Sequence, residues 1–550
     1  MAAASSRSSE LEEFLEPLHI DIHVVRQLSR DFAETFRRLA AESSDQFLAT
    51  PISESILRPA QGHDPGRYLA IDIGGTNLRV GFIELAGHTE AYAPASPSSP
   101  STHLQNGTGP RLKRLHERNW PIQDVLKRAN QESLFTWIGE CIASTVQEGC
   151  EILNIPRDGI LPMGVTFSFP MEQESLSVAK LMPMGKGFAI TSIDDLGSQL
   201  LAGYEKARTA DLPGIRIAAI VNDAVATLVS FIYEFRTKPD QKAVMGLICG
   251  TGCNATMPLP LSSLHLSKRP KKVNVLQGQV EDDVRVAVNT EWSIKGAAPP
   301  LRNLGLISAW DDELSAAVES PGFQPLEYMT AGRYLGELGR IMLVDYMTKI
   351  LGLSQDTFPA KLMRQFDPHN TTFLSHYRPG RDKSLLAMLE EEFSTASEGS
   401  SLQWTEEIAD ALYHIAKAIE VRGAGIIAAA IVGLLTFAGE MPSKEAAADE
   451  AVDLAVGYTG GCITNFQDYL VDCQNFLDEV VKLDYSSSTV PFRITLHPCH
   501  DGGIKGAGIL VPTAMASQKV EGELIEAQGQ GNISISDDTI PNRRARLPRS

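Results

Sequence analysis

Apolar positions recur at helical spacing from Leu11 through Phe14, Leu15 and Leu18, and again through Val24, Val25, Leu28, Phe32, Phe36 and Leu39. That period predicts helices over residues 9 to about 45. From Tyr68 the pattern changes to YLAIDIGGTNLRV, which reads as a buried strand, a Gly-Gly turn and a second strand reaching Leu85. The Ser/Pro-rich stretch YAPASPSSPSTHLQNGTGP that follows cannot build a core and reads as a surface loop. Helical spacing returns near Gln123–Cys150, and strands are predicted at Ile160–Phe169 and Ile215–Val221. AVMGLICGTGCNATM then repeats the plan of strand, small-residue turn and strand. Thr405 to Phe437 reads as one or two long helices, and the chain turns polar after Val511.

The two glycine turns matter most. Each joins apolar strands and carries Thr and Asn, and they lie about a third of the chain apart. This predicts an internal duplication, two β-rich lobes each presenting a turn to a shared cleft. Gly74 and Gly75 let backbone N–H groups approach a ligand, and Thr76, Asn77 and Arg79 can donate to phosphate oxygens. A carboxylate inside an apolar strand is costly without a task, and Asp72 gains one as the holder of a hydrated Mg²⁺. A single such turn fits an ordinary hairpin; the pair argues for phosphate. Neither turn follows the P-loop or dinucleotide-binding spacing.

IAAIVNDAVATLVSFI places Asn222 and Asp223 where an apolar strand meets an apolar helix. Asp223 there is either a helix cap or a general base at the carboxyl end of a strand. LPMGVTFSFP, GKGF and NTEW add Ser168, Lys186 and Glu291, which with Asn and Asp make a set able to satisfy sugar hydroxyls. HPCH (His497–His500) is half a metal motif without a second half. SKRPKK (Ser267–Lys272) and the terminal RRAR read as solvated basic loops, with nuclear import or docking as the alternative.

Composition narrows the class. The 550 residues are 43% hydrophobic and 21% charged, ordinary for a soluble globular protein of several domains. With 49 basic and 68 acidic residues the formal charge is −19, which disfavours nucleic acid as a partner. Seven scattered cysteines suit a reducing compartment, and the opening MAAASSRSSELEEFLE does not resemble a secretory signal. Without secretion the glycosylation sequons at Asn106, Asn370 and Asn532 carry no meaning. The apolar run Ala424–Gly439 is short and rich in Ala and Gly, so a buried helix is expected and no membrane span.

LAIDIGGTNLRV, LPMGVTFSFP, GKGF, VNDAVATL, ICGTGCNATM, VNTEW and PLEYMTAGRYLGELGR occur in the order seen in hexokinases, and residues 10–511 resemble that family. The resemblance implies an α/β, two-lobed actin-like ATPase (ribonuclease H-like) fold of hexokinase type, with lobes at 9–236 and 237–511 and a disordered tail at 512–550. It implies an ATP- and Mg²⁺-dependent phosphotransferase acting on the 6-hydroxyl of a hexose. Asp223 then matches the catalytic base. Ser168, Lys186, Asn222, Asn254, Glu291 and Glu327 match sugar contacts. Asp72, Gly74, Gly75, Thr76, Asn77 and Arg79 match one phosphate loop, and Gly250, Thr251 and Gly252 the other.

Departures from the family pattern qualify the expectation. Gly185 replaces a threonine that contacts sugar, leaving room for a substituted sugar such as N-acetylglucosamine. SIKGA follows NTEW, GYTGG (Gly457–Gly461) stands in the adenosine-side segment, and HDGGIKGAG (His500–Gly508) lacks the usual serine. These changes fall on the nucleotide side. They motivate a rival, a sugar-binding regulator without useful turnover. An actin-like chaperone ATPase ranks behind both, because it leaves Ser168, Lys186 and Glu291 unexplained. The expected location is cytoplasmic, with a nuclear or mitochondrial pool left open, as is the oligomeric state.

Overall fold

The structure, a computed structural model, describes residues 2–59, 64–86, 111–123, 125–126, 131–169, 171–181, 195–235, 241–273, 275, 284–380, 383–394, 400–442, 453–485 and 492–531. The Ser/Pro-rich stretch, the segment holding Gly185 and Lys186, the sequons at Asn106 and Asn532 and the RRAR motif lie outside the described residues.

The helix Ile22–Glu42 starts on the Asp21 side chain, which accepts from the Val24 N–H, and buries Val25, Leu28, Phe32, Phe36 and Leu39 along one stripe. Strand β1 (Leu48–Ser53) follows. Strands β2 (Gly66–Ile73) and β3 (Asn77–Leu85) form an antiparallel hairpin that pairs Asp72 with Arg79. They join β4 (Leu112–Pro121), β5 (Ile160–Phe167) and, after the small hairpin β6 (Met171–Ser175) and β7 (Val178–Leu181), β8 (Gly214–Val221). The sheet order is β4-β3-β2-β5-β8, with β2, β5 and β8 parallel. The second half contributes β9 (Gln241–Cys249), β10 (Cys253–Pro260), β11 (Arg285–Asn289), β12 (Asp453–Thr459) and β13 (Ile494–Pro498). Their order is β11-β10-β9-β12-β13, with β9, β12 and β13 parallel and β1 added beyond β11.

The two sheets therefore repeat one plan, a three-strand antiparallel meander followed by two parallel strands. This gives the duplication suggested by the glycine turns a topological form. It also points the carboxyl ends of six parallel strands toward one region, where α/β proteins place ligands.

The chain ends do not stay with the lobes that the sequence boundaries suggest. The helix Ile22–Glu42 shares a core with Val244, Met257 and the helix Glu406–Phe437 of the second lobe. The helix Gly502–Gly531 returns to cover β2, β3, β5 and β8 of the first. Residues 512–531, expected as disordered tail, thus continue a helix, and 532–550 lie outside the described residues. Helix contact is close because glycine allows it: a Cβ on Gly164 would lie 2.0 Å from the Ala507 carbonyl oxygen.

The apolar run near Ala424 belongs to the 32-residue helix Glu406–Phe437, the one helix among the described residues long and apolar enough to cross a membrane; 89% of its most apolar window is buried inside the protein. Within it Arg422 is fully buried and forms a bidentate pair with Asp311 at 2.7 and 2.8 Å. Asn370, one of the sequons, is itself buried.

Candidate functional site

A cleft of about 480 Å³ opens where the carboxyl ends of the parallel strands meet. From the first sheet it is lined by Asp72, Gly74, Thr76, Asn77 and Arg79 of the first turn, Ser168 after β5, and Asp223 after β8. From the second it takes Ile248 of β9 and Thr459, Gly460, Gly461, Thr464 and Asn465 after β12. His500, Asp501, Gly502 and Gly503 close it after β13. Seven of the residues singled out in the sequence are thus brought to one wall.

The turn after β2 is set by the Gly74 N–H, which donates to the Asn77 carbonyl. Asp72 sits beneath it. Burial pushes its carboxyl up to about 7; Arg79 opposes this, and Asp223, Glu117 and Asp501 add to it. Gly503 is needed here, since a Cβ on it would lie 2.6 Å from Asp72 Oδ2. Arg79 Nη1 donates to Asp501 Oδ1 at 2.9 Å, and Arg114 of β4 reaches Asp501 Oδ2 at 3.0 Å.

At the β8 boundary the N-cap falls on the residue before Asp223. Asn222 is the N-cap, its side chain accepting from the Ala224 N–H at 2.9 Å. Asp223 is the first helical residue of Asp223–Glu234 and lines the cleft. Its carboxylate accepts from the Ala224 N–H at 2.9 Å and stands in the first turn, where the helix dipole favours negative charge.

A second polar cluster lies on β10 and β11. Asn254 Nδ2 donates to Asn289 Oδ1 at 2.8 Å and to Glu291 Oε1 at 3.1 Å. Asn289 Nδ2 donates to the same Glu291 oxygen at 2.8 Å. Glu291 has φ of 45°, a conformation uncommon for a residue with a side chain, and the Gln46 side chain holds its carbonyl at 2.9 Å. A single carboxylate oriented by two carboxamides is suited to accept from vicinal hydroxyls. Glu327 is buried and accepts from the Cys253 N–H at 2.9 Å. It braces the second glycine turn, where a Cβ on Gly252 would lie 2.8 Å from Glu327 Oε2.

Some expected residues are placed elsewhere. Gly250, Thr251 and Gly252 do not line the cleft; their turn is tied by Gly250 N–H to Gly252 O and by Gly332 N–H to Gly250 O, and it backs onto Gly460. Gly75 belongs to the first turn without lining the cleft. The HPCH motif divides: His497 packs against Phe235 and Phe231, the Cys499 thiol donates to the Thr227 carbonyl, and His500 alone lines the cleft. In the basic loop, Lys268 Nζ donates to the Leu39 and Gln46 carbonyls, and Arg269 to the Leu264 and Ser262 carbonyls. Two of its four cations are therefore structural. Sequence reasoning missed Thr227, Thr464, Asn465, Asn289, Arg114 and the role of Asp501. Thr227, which also lines the cleft, Asn289 and Asp501 sat in motifs already noticed, VNDAVATL, NTEW and HDGG.

Comparison with known proteins agrees with this geometry. Two family profiles, both described as Hexokinase, match residues 10–233 and 244–513. A hexokinase of Schwanniomyces occidentalis is 31% identical over 299 residues, 53% of this chain and 52% of its own length. Hexokinase-1 of Arabidopsis thaliana is 26% identical over 82% of this chain and 80% of its own. The match to human Hexokinase-2 takes in 42% of that protein, so the chain spans about half the length of the first relatives it matches. Among solved structures, the Schistosoma mansoni hexokinase complexed with glucose superposes with a TM-score of 0.70 at 22% identity, covering 92% of this chain and 99% of that one. The fold is the two-lobed actin-like one that the resemblance implied. The chain belongs to the hexokinase family.

Proposed function

We propose that this protein transfers the γ-phosphoryl group of ATP to the 6-hydroxyl of a hexose. The observation that carries the reading is Asp223, held on a helix N-terminus in the cleft shared by the turn of Asp72–Arg79 and by Ser168. Asp223 is placed to take the hydroxyl proton as the oxygen attacks phosphorus. Glu291, aimed by Asn254 and Asn289, accepts from sugar hydroxyls, and Ser168 and Glu327 complete the sugar side with Lys186. Thr76, Asn77 and Arg79 bind phosphate oxygens. The donor set fits a hydrated Mg²⁺ entering with ATP: Asp72 is a carboxyl poised to ionise beside the phosphate turn, and the ion would supply neutralisation of the developing charge.

Glucose and N-acetylglucosamine are the acceptors proposed, the first because the Schistosoma relative is complexed with it and the second because Gly185 removes a side chain. A cytoplasmic setting is proposed from seven cysteines that are all free and buried. The regulator reading is not favoured. Asp223 is present in the cleft, and the basic loop that suggested a docking role uses Lys268 and Arg269 internally.

The test is an ADP-release assay on the purified chain with MgATP and glucose, fructose, mannose or N-acetylglucosamine. Sugar-dependent release that Asp223→Ala lowers by about 10²-fold or more supports the mechanism. Unchanged release in that variant excludes Asp223 as base. A folded chain that binds sugar by calorimetry and releases no ADP establishes the regulator instead.

A further inference from the structure

The phosphate end of the cleft holds an anion of its own. Among the described residues lining the cleft Arg79 is the one Lys or Arg, and it is the group best suited to bind a terminal phosphate. Its cross-strand partner is Asp72, yet its Nη1 donates to Asp501, 422 residues away in sequence, at 2.9 Å. The second oxygen of the same carboxylate takes Arg114 at 3.0 Å. One carboxylate thus spans two guanidinium groups, as a phosphate oxygen pair does. Arg79 and Asp501 remain 31% and 30% exposed, so the pair faces solvent and can be exchanged.

We propose that Asp501 is a built-in counter-ion, which holds the Arg79 guanidinium and gives it up to a terminal phosphate of an incoming nucleotide. The proposal rests on the nucleotide-binding reading of the same cleft and names its regulation. Four carboxylates, Asp72, Asp223, Glu117 and Asp501, act together here against Arg79 and Arg114. A single small anion gains little by displacing Asp501, because it trades one ion pair for another. A polyphosphate carrying Mg²⁺ brings further contacts to the turn at Thr76 and Asn77 and so completes the exchange. Asp501 in this way sets a threshold against free phosphate anions.

The experiment uses the full-length chain and calorimetric titration with inorganic pyrophosphate and with MgADP. Wild type, Asp501→Asn, Arg79→Gln and the double variant are compared. Asp501→Asn is expected to bind pyrophosphate roughly 3- to 10-fold more tightly, a gain of the size of one partly exposed ion pair. The gain disappears in the double variant. Equal or weaker binding by Asp501→Asn, or a gain that persists without Arg79, overturns the proposal. Sugar phosphorylation by wild type is measured separately. An active enzyme with no gain in Asp501→Asn sinks the counter-ion alone, and an inactive chain with an Arg79-dependent gain sinks the kinase reading alone. Should Asp501→Asn fail to fold, the carboxyl ¹³C signal of Asp501 in the wild-type chain decides: it shifts at saturating MgADP if the pair opens, and a signal that does not move refutes the exchange.

Discussion

Replacing Asp72 with Asn asks whether the cleft keeps a carboxylate that the fold would rather protonate. Its carboxyl moves from 3.8 to about 7 on folding. At about 1.4 kcal/mol per pH unit, that displacement costs roughly 4 kcal/mol once the group is ionised. One edge of the side chain faces the open cleft, so solvent reduces the figure, and about 1–3 kcal/mol is expected. The folded state holds the proton more tightly than the unfolded chain. The penalty is therefore absent below about 3.8, grows as pH rises, and is complete above about 7. Asp72→Asn should match wild type near pH 4 and exceed it near pH 8, with sugar phosphorylation lost at both. Denaturant titrations of the full chain across that range read the stability, and the ADP-release assay reads the activity. A stability difference that does not vary with pH, or a variant less stable at pH 8, refutes the reasoning. Wild type carries a matching signature: the apparent KM for MgATP rises below pH 7, because binding then requires Asp72 to lose its proton.

Three other outcomes follow from the geometry. Glu291→Ala leaves the Asn254 and Asn289 carboxamides without their shared acceptor, and sugar affinity measured by calorimetry should fall roughly 10- to 100-fold. Gly503→Ala drives a methyl to 2.6 Å from Asp72 Oδ2, so kcat should drop while sugar affinity holds, read by steady-state kinetics against both substrates. Arg422→Met leaves the Asp311 carboxylate buried without its guanidinium, held only by the Ser308 N–H and hydroxyl, and a loss of about 3–5 kcal/mol in the second lobe is expected in thermal melts.

The hairpins at Asp72 and Cys249 were legible because buried strands alternate with small-residue turns, and Asp72 stood out as a charge in an apolar strand. The boundary at Asn222 and Asp223 was legible as a site, though not the division of labour within it. Both residues are good caps by type, and only the backbone shows that Asn222 is the N-cap and Asp223 the first helical residue, the two side chains sharing the Ala224 N–H. Asn254, Asn289 and Glu291 come together through β10–β11 pairing, which a linear reading does not register. Thr464 and Asn465 sit on a five-residue helix, Gly461–Asn465, too short to show a period. The crossing of the chain ends between lobes was hidden for a related reason: an apolar stripe says that a helix is covered, not by which sheet.

That crossing has a mechanical consequence. The helix Gly502–Gly531 is locked onto the first sheet by contacts a side chain would forbid, Gly164 against Ala507 and Gly508 against Ile83. Asp501 and Gly503, though they follow the second sheet's last strand, are held with Asp72, Arg79 and Thr166, whose hydroxyl donates to the Gly503 carbonyl at 2.9 Å. Gly460 is fixed the other way: φ of 126° lets it sit against the Cys249 carbonyl of the second sheet. A rocking of the lobes therefore keeps the Asp72–Arg79–Asp501 group intact and carries Thr464 and Asn465 toward it or away. On the proposed reading the phosphate-binding group is preassembled on one lobe, and a closure would change the walls around it rather than its own geometry. The proposed exchange of Asp501 for a phosphate would then be a local event within one lobe, open to a nucleotide before any closure.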